Sequence, residues 1–250
     1  VEYAKKRGLK KVFLNSNFVK FNPNWIQRMD DSGLDKITIG IDGATKETYE
    51  KIRVKGDFEK LEKNIHSILK AKKEGKLKNL EIILQFIIQA DNEKEEKDFI
   101  EKWSDKDVTI KVRHRLGWGT AIDAPALCLP NNETRNIPCP WLMRTISIHQ
   151  DGKVAQCDAL WDGQRYSGDL NHEKIKDVWL GQDLLGRRRR HLNSDFEMYP
   201  CKDCKDWQCG LSEVYTNKIF LKRDSKNLAD NLFLDNLRSY NKLNSSRAPT

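Results

Sequence analysis

The stretch Cys139-Pro-Trp-Leu-Met-Arg-Thr-Ile-Ser-Ile-His-Gln-Asp-Gly-Lys-Val-Ala-Gln-Cys157 decides the fold of the second half of this chain. Apolar and polar residues alternate on both sides of Asp151-Gly152, over Arg144–His149 and over Lys153–Cys157. The alternation predicts two strands, and the Asp-Gly pair predicts a two-residue type I′ turn between them. A hairpin of this kind would bring Cys139 and Cys157 near each other.

A second pair of cysteines follows in Cys201-Lys-Asp-Cys204, where one tight turn can present both thiols. The two pairs together predict a site of four thiolates, which suits an iron–sulfur cluster or a structural Zn²⁺. The sequence leaves both open. Cys209 is interpreted as a spare or alternate ligand, and Cys128 as a structural or substrate-facing residue.

Length and composition limit the class of protein. A chain of 250 residues with 38% hydrophobic content can bury a core, and it has no run of about 18 apolar residues and no recognisable signal peptide. We therefore predict a cytoplasmic protein whose thiols bind metal and do not form disulfides. The net charge of +8 comes from lysines spread along the chain, which favours a solvated surface over nucleic-acid binding. The run Arg187–Arg190 is interpreted as an exposed helix face.

The first half of the chain alternates predicted strands with predicted helices. Each helix should bury one apolar face; Asp57, for example, should cap a helix whose apolar residues recur every three or four positions. Four β units joined by helices predict a parallel α/β sheet or a partial barrel. The predicted strands are Lys11–Leu14, Lys36–Ile41, Leu80–Ile88 and Val108–Val112, and the helices are Pro23–Met29, Thr45–Arg53, Asp57–Lys73 and Asn92–Trp103.

The cysteine region resembles the SPASM domain of radical S-adenosylmethionine (SAM) enzymes, or its shorter twitch form. The likeness runs through Cys139-Pro-Trp, the hairpin, Gly168–Asn171, Ile175–Trp179, an arginine-rich helix and Cys201-x-x-Cys204. A full SPASM domain would carry more cysteines, and after Cys204 only Cys209 remains. The resemblance therefore implies a single auxiliary [4Fe–4S] cluster on Cys139, Cys157, Cys201 and Cys204.

The resemblance extends upstream, where Ile37–Arg53 is similar to the fourth strand and following helix of the radical SAM partial barrel. It implies that polar residues at the strand ends bind SAM or substrate, with Arg53 contacting a carboxylate; the family often has serine where Gly40 stands. The candidates are Asn15, Asn17, Asp42, Arg53 and Gln85. Each of them could instead have a purely structural role in a turn, in a helix cap or at the surface.

The radical SAM motif Cys-x3-Cys-x2-Cys is absent from this sequence. We expect it N-terminal to Val1, which would make this chain a fragment that is inactive by itself.

The predicted organisation is a partial barrel over 1–120, a SPASM or twitch domain over 121–210, and a helical or disordered tail over 211–250. For the intact enzyme the resemblance implies SAM, a second [4Fe–4S] cluster, a 5′-deoxyadenosyl radical, a flavodoxin or ferredoxin as electron donor, and a peptide or small-molecule substrate. The competing hypothesis is a non-enzymatic zinc module that binds RNA or a protein.

Overall fold

The computed structural model describes residues 1–119, 121–122, 138–160 and 165–207. The chain folds as two compact units, and the boundary lies between Arg115 and Leu116. Within the described ranges, no helix has the length and apolar character needed to cross a membrane. Cys128, Cys209 and the predicted tail over 211–250 lie outside the described residues.

The first unit is a parallel four-stranded sheet with helices between its strands, in the strand order β1-β2-β3-β4. Every neighbouring pair of strands is parallel, as crossover helices require. The strands are β1 Phe13–Ser16, β2 Lys36–Gly40, β3 Glu81–Ile88 and β4 Thr109–His114. The helices are α1 Glu2–Lys6, α2 Trp25–Ser32, α3 Lys46–Ile52, α4 Phe58–Lys73 and α5 Glu96–Trp103.

The core of this unit lies between the sheet and its helices. In β2 burial alternates, so Ile37 and Ile39 are buried and the residues between them are only partly so. The long helix α4 buries one apolar face, and the Asp57 side chain caps it by accepting the Lys60 N–H at 2.9 Å. The α/β fold class predicted from the sequence is confirmed. The buried residues of α4 are Phe58, Leu61, Asn64, Ile65, Ile68 and Ala71.

Asn92 does not cap a helix as predicted. A 3₁₀ turn, Glu93–Glu95, separates it from α5, and its side chain makes no cap hydrogen bond. Its amide instead donates to the carbonyls of Asp42 and Ile87, each at 2.9 Å, and its oxygen accepts the Gln89 N–H. Buried carbonyls need donors, so Asn92 joins the ends of β2 and β3.

In the second unit, the described residues form three helices and two short strands around a small core. Its strands β5 Lys153–Ala155 and β6 Tyr166–Asp169 are antiparallel. Its helices are α6 Pro140–Arg144, α7 Ile175–Trp179 and α8 Gln182–Leu192. The buried core residues are Cys139, Leu142, Val154, Val178, Leu184 and Trp207.

The predicted hairpin forms with a different turn and a shorter first arm. Opposite β5 the first arm is the single bridge Ile148–Val154, and α6 takes up Arg144, the first residue of the predicted strand. His149 donates to the Lys153 carbonyl at 2.8 Å, which leaves a three-residue loop. Only Gly152 of that loop has a positive φ, 87°. A type I′ turn needs positive φ at both central residues, so that prediction is wrong, and the loop matches a type I turn followed by a left-handed glycine.

The arginine run is not a uniformly exposed helix face, which corrects the interpretation made from the sequence. Arg188 is completely buried, with its guanidinium 3.6 Å from the centre of the Trp179 ring. It donates to the carbonyls of Leu142 and Trp179 at 3.0 and 2.7 Å. Arg188 therefore joins α6, α7 and α8 through these two hydrogen bonds and its contact with the Trp179 ring.

Candidate metal centre

Four cysteines that are far apart in the sequence line one recess in the second unit. Cys139 immediately precedes α6, Cys157 follows β5, and Cys201 and Cys204 follow α8. The recess has an empty volume of about 390 Å³, including the part open to solvent. Trp141, Leu142, Pro200 and Trp207 contribute to its walls. The structure thus brings together the four cysteines that the sequence analysis selected.

The electrostatics of the thiols reflect this convergence. Burial raises the pKa of the Cys157 thiol well above its usual range, and the nearby Cys139, Cys201 and Cys204 raise it further. Burial raises the pKa of Cys204 to about 12, with smaller contributions from Asp206 and Cys139. Four negative thiolates in so small a space repel one another, and a bound cation would relieve that repulsion.

Backbone N–H groups point at two of the sulfurs. The Ala159 N–H donates to Cys157 Sγ at 3.4 Å. Backbone hydrogen bonds from Asp206 and Trp207 lower the pKa of Cys204 in opposition to burial. Such donors favour the thiolate form, which is the form that binds metal.

Asp206 fixes the end of the segment that carries the second cysteine pair. Its carboxylate is buried and accepts the backbone N–H groups of Gly117 at 2.7 Å and Gly119 at 2.8 Å. The chain that follows Cys204 is therefore attached to the start of the second unit. Nothing in the sequence analysis indicated this contact.

A histidine to which the sequence analysis assigned no role lies between two of the cysteines. His191 is fully buried, its Nδ1 accepts the Cys139 N–H at 3.2 Å, and its Nε2 is 3.3 Å from Cys201 Sγ. The spacing of Leu184, Arg188 and His191 places the three residues on one face of α8. That spacing is visible in the sequence, but the charged run Arg187–Arg190 led to the prediction of an exposed face.

The positively charged side chain of Arg187 also lies at the recess. Arg187 lines it, donates from Nη2 to Gln156 Oε1 at 2.6 Å, and donates from Nη1 to the Tyr199 carbonyl at 3.2 Å. Gln156 directly precedes Cys157 in the chain, so Arg187 brings a positive charge to the same side of the recess as that thiol. Arg187 also pairs with Asp183, with 3.4 Å between its Nε and the carboxylate Oδ1.

The donor set fits an iron–sulfur cluster or zinc by its chemistry, since both take four thiolates. Among the described residues, no group of three His, Cys, Asp or Glu side chains is arranged so that it could hold one metal ion. A single Zn²⁺ requires sulfur at about 2.3 Å from the ion. One zinc ion would bind all four thiolates, whereas a [4Fe–4S] cluster presents a separate iron to each of them.

In the first unit, two of the predicted ligand-binding residues bond to each other. Asp42 is buried after β2 and accepts Arg53 Nε at 2.7 Å, and Arg53 Nη2 contacts the same carboxylate oxygen. Asp42 also accepts the Ile87 N–H at 3.0 Å. A Cβ on Gly40 would lie 2.9 Å from Arg53 Nη2, so glycine there gives room for the guanidinium.

Local contacts explain the position of Arg53, which directly follows α3. Thr45 caps that helix by accepting the Thr48 N–H. Glu95 accepts the Ala44 N–H at 2.7 Å and the Thr45 hydroxyl at 2.8 Å. The start of α3 is thus attached to the turn before α5, and its end places Arg53 next to Asp42.

The other predicted strand-end residues lie on the same sheet. Gln85 is opposite Gly40 in the β2–β3 register, and its Oε1 accepts Arg113 Nε at 3.2 Å. Asn15 is opposite Thr38 and is exposed, as is Asn17 just beyond β1. The structure brings Asp42 and Arg53 into contact, but among the described residues no hydrogen bond joins Asn15 or Asn17 to that pair.

The cysteine region matches the model of a known protein family. The profile of the SPASM family, described as an iron–sulfur cluster-binding domain, matches residues 139–205. This match confirms the resemblance predicted from the cysteine spacing. A comparison with curated protein sequences gives no match.

The chain is also similar to solved structures. Native anSMEcpe with bound AdoMet has 13% sequence identity and a TM-score of 0.51, over 95% of this chain and 78% of that one. The histidine-tagged form of anSMEcpe with bound AdoMet gives the same identity and TM-score, over 95% and 74%. BtrN in complex with AdoMet and 2-DOIA has 12% identity and a TM-score of 0.44, over 85% and 65%. At these identities the likeness to anSMEcpe establishes a shared fold.

Proposed function

We propose that this chain belongs to a radical SAM enzyme and that its second unit binds one auxiliary [4Fe–4S] cluster through Cys139, Cys157, Cys201 and Cys204. The observation that carries the proposal is the convergence of four thiols on one recess, within the segment that matches an iron–sulfur cluster-binding domain. A cluster held there would supply one-electron transfer.

The residues around the recess have separate roles in this proposal. Buried aromatic and proline side chains limit the access of water, which is one of the factors that set a cluster potential. N–H donors at Cys157 and Cys204 stabilise the thiolates. Arg187, which pairs with Asp183, contributes to the wall of the recess and holds Gln156 next to Cys157.

The first unit is the proposed site of SAM and substrate binding. Its fold is shared with a structure that contains bound AdoMet, and ligands of open parallel sheets bind at the carboxyl ends of the strands. Arg53, whose side chain is 40% exposed although it is paired with Asp42, can turn a guanidinium N–H toward a ligand carboxylate. Asn15, Asn17 and Gln85 remain candidates for polar contacts. The proposed substrate is a peptide or a small molecule, and the proposed electron donor is a flavodoxin or ferredoxin.

A zinc module remains the second candidate, because the four thiolates are equally good ligands for zinc. The cluster is favoured by the match of residues 139–205 to an iron–sulfur cluster-binding domain. Metal content and colour separate the two candidates: a cluster gives iron, sulfide and visible absorption, and zinc gives a colourless protein.

The test is anaerobic reconstitution of the 250-residue chain with ferrous iron and sulfide. We expect about four irons and four sulfides per chain, and loss of both in the Cys201→Ala/Cys204→Ala variant. Cys128→Ala serves as the matched control and should keep wild-type iron. Full iron in the double variant would contradict the ligand assignment. Loss of iron in Cys209→Ala alone would mean that Cys209 replaces one of the four ligands.

A further inference from the structure

The ring of His191 contacts both halves of the cysteine set. Its Nδ1 accepts the backbone N–H of Cys139 at 3.2 Å, and its Nε2 lies 3.3 Å from Cys201 Sγ. A ring nitrogen that accepts a hydrogen bond carries no proton, so in the neutral ring the proton is on Nε2. The Nε2–H group therefore points at the sulfur of Cys201.

Packing fixes this ring in place. His191 is in the last turn of α8 and is fully buried. The Phe196 ring meets it edge to face, with 5.2 Å between the ring centres and 84° between the planes. A buried ring that bonds at both nitrogens has one orientation, which gives the contact with Cys201 a defined geometry.

We propose that His191 is a positioning residue that donates an Nε2–H···Sγ hydrogen bond to the cluster ligand Cys201 while it anchors the backbone of Cys139, and that this bond raises the reduction potential of the cluster. The inference rests on the proposed function. Reduction adds negative charge, part of which is on the ligand sulfurs, and a hydrogen bond to a ligand sulfur stabilises that charge. Hydrogen bonds to sulfur are among the factors that set cluster potentials.

A merely structural role predicts a different result. If His191 only held Cys139 in place, its loss would affect folding or cluster uptake, and the potential of a cluster that did form would not change. Two amide substitutions separate the two contacts. His191→Asn places an oxygen near the position of Nδ1, so the new side chain can accept the Cys139 N–H but cannot reach Cys201. His191→Gln introduces a longer side chain and places an N–H near the position of Nε2.

The experiment measures the midpoint potential of the reconstituted 250-residue chain by EPR-monitored titration. We expect a more negative midpoint in His191→Asn and His191→Leu, and a midpoint near wild type in His191→Gln. His172→Asn, which changes an exposed histidine of the same unit, is the matched control and should leave the midpoint unchanged. A wild-type midpoint in His191→Asn would overturn the proposal.

A measurement on the wild-type chain covers the case in which the variants take up no cluster. Protein labelled with ¹⁵N only at histidine should show a ¹⁵N coupling to the reduced cluster in pulsed EPR, because the Nε2–H of His191 is hydrogen-bonded to the ligand sulfur of Cys201. Absence of that coupling would overturn the proposal even if the variants failed to fold. Failure of the wild-type chain to take up iron and sulfide would instead contradict the proposed function, so the two failures are distinguishable.

Discussion

The buried carboxylate of Asp206 accepts the backbone N–H of Gly117 at 2.7 Å. A second oxygen of the same carboxylate accepts the Gly119 N–H at 2.8 Å. The two bonds attach the segment after Cys204 to residues near the start of the second unit. They take up both oxygens of a side chain that is almost fully buried.

The first prediction follows from these two bonds. Asp206→Asn replaces one acceptor oxygen with an NH₂ group that faces a backbone N–H, and we expect it to lower the free energy of unfolding by about 1–3 kcal/mol. Asp203→Asn, which changes an exposed neighbour, should alter it by less than about 0.5 kcal/mol. Urea unfolding of the 250-residue chain measures both. Equal midpoints for the two variants would show that the buried carboxylate has no special role.

The second prediction concerns the pair Asp42–Arg53. Arg53→Ala leaves a buried carboxylate with the Ile87 N–H as its remaining backbone donor among the described residues, and we expect a loss of about 1–3 kcal/mol of unfolding free energy. Adding Asp42→Asn to Arg53→Ala should recover part of this loss, because the uncompensated charge is then gone. A double-mutant cycle gives the interaction energy.

The control for that cycle is Arg28→Ala, which removes an exposed arginine of α2 and should be nearly neutral. Additivity of the Asp42 and Arg53 substitutions would contradict the prediction. It would mean that the pair seen in the structure contributes nothing measurable to stability, as many exposed pairs do.

Features that depend on local patterns could be predicted from the sequence. The apolar run of β3 and the Asp57 cap of α4 appear where the patterns placed them, within a residue or two. The cysteine spacing selected four residues that do share one recess. These features could be predicted because periodicity, capping and a fixed ligand motif are properties of short segments.

Features that depend on contacts between distant segments were missed. Asn92 has the composition of a helix cap, but its amide is used by two carbonyls at the ends of β2 and β3. Arg188 is of a residue type usually found at the surface, but it bonds to the carbonyls of Leu142 and Trp179 and packs on the Trp179 ring. His191 became identifiable as a partner of the cysteines only after folding brought Cys139 and Cys201 to either side of its ring.

The third prediction is a pH dependence of stability in the iron-free chain. Burial raises the pKa of Cys204 to about 12 from its ordinary value of 9.0, and it also raises the pKa of Cys157. When the pH lies between the ordinary pKa of 9.0 and the raised pKa of about 12, the unfolded chain has released thiol protons that the folded chain retains. A rise in pH over this range therefore favours unfolding. Stability should be unaffected by these thiols below about pH 9 and should fall progressively above it.

Urea unfolding between about pH 7 and about pH 10.5, which spans the range in which unfolded cysteines ionise, measures this slope. The Cys204→Ala/Cys157→Ala variant is the control, and its stability should fall less steeply with pH. An identical slope in wild type and variant would contradict the prediction. Reconstituted protein should lack this part of the slope, since its thiols are already deprotonated as ligands.

The last prediction concerns SAM cleavage by the 250-residue chain. A cluster that binds SAM needs an iron with an open coordination position, which radical SAM enzymes obtain from three cysteines around four irons. The recess in the second unit can supply four thiolates, one for each iron of a [4Fe–4S] cluster. We therefore expect the reconstituted chain to release no 5′-deoxyadenosine when it is incubated with SAM and dithionite.

Two controls make that result informative. The iron and sulfide content of the same sample must show that the auxiliary site is loaded, and a radical SAM enzyme of known activity must release 5′-deoxyadenosine under the same conditions. Release by this chain would contradict the assignment, because the cluster at Cys139–Cys204 would then have an open iron. In that case Cys139→Ala, Cys157→Ala, Cys201→Ala and Cys204→Ala, tested one at a time, should identify the cysteine that is not a ligand, since only its loss would leave both the cluster and the activity intact.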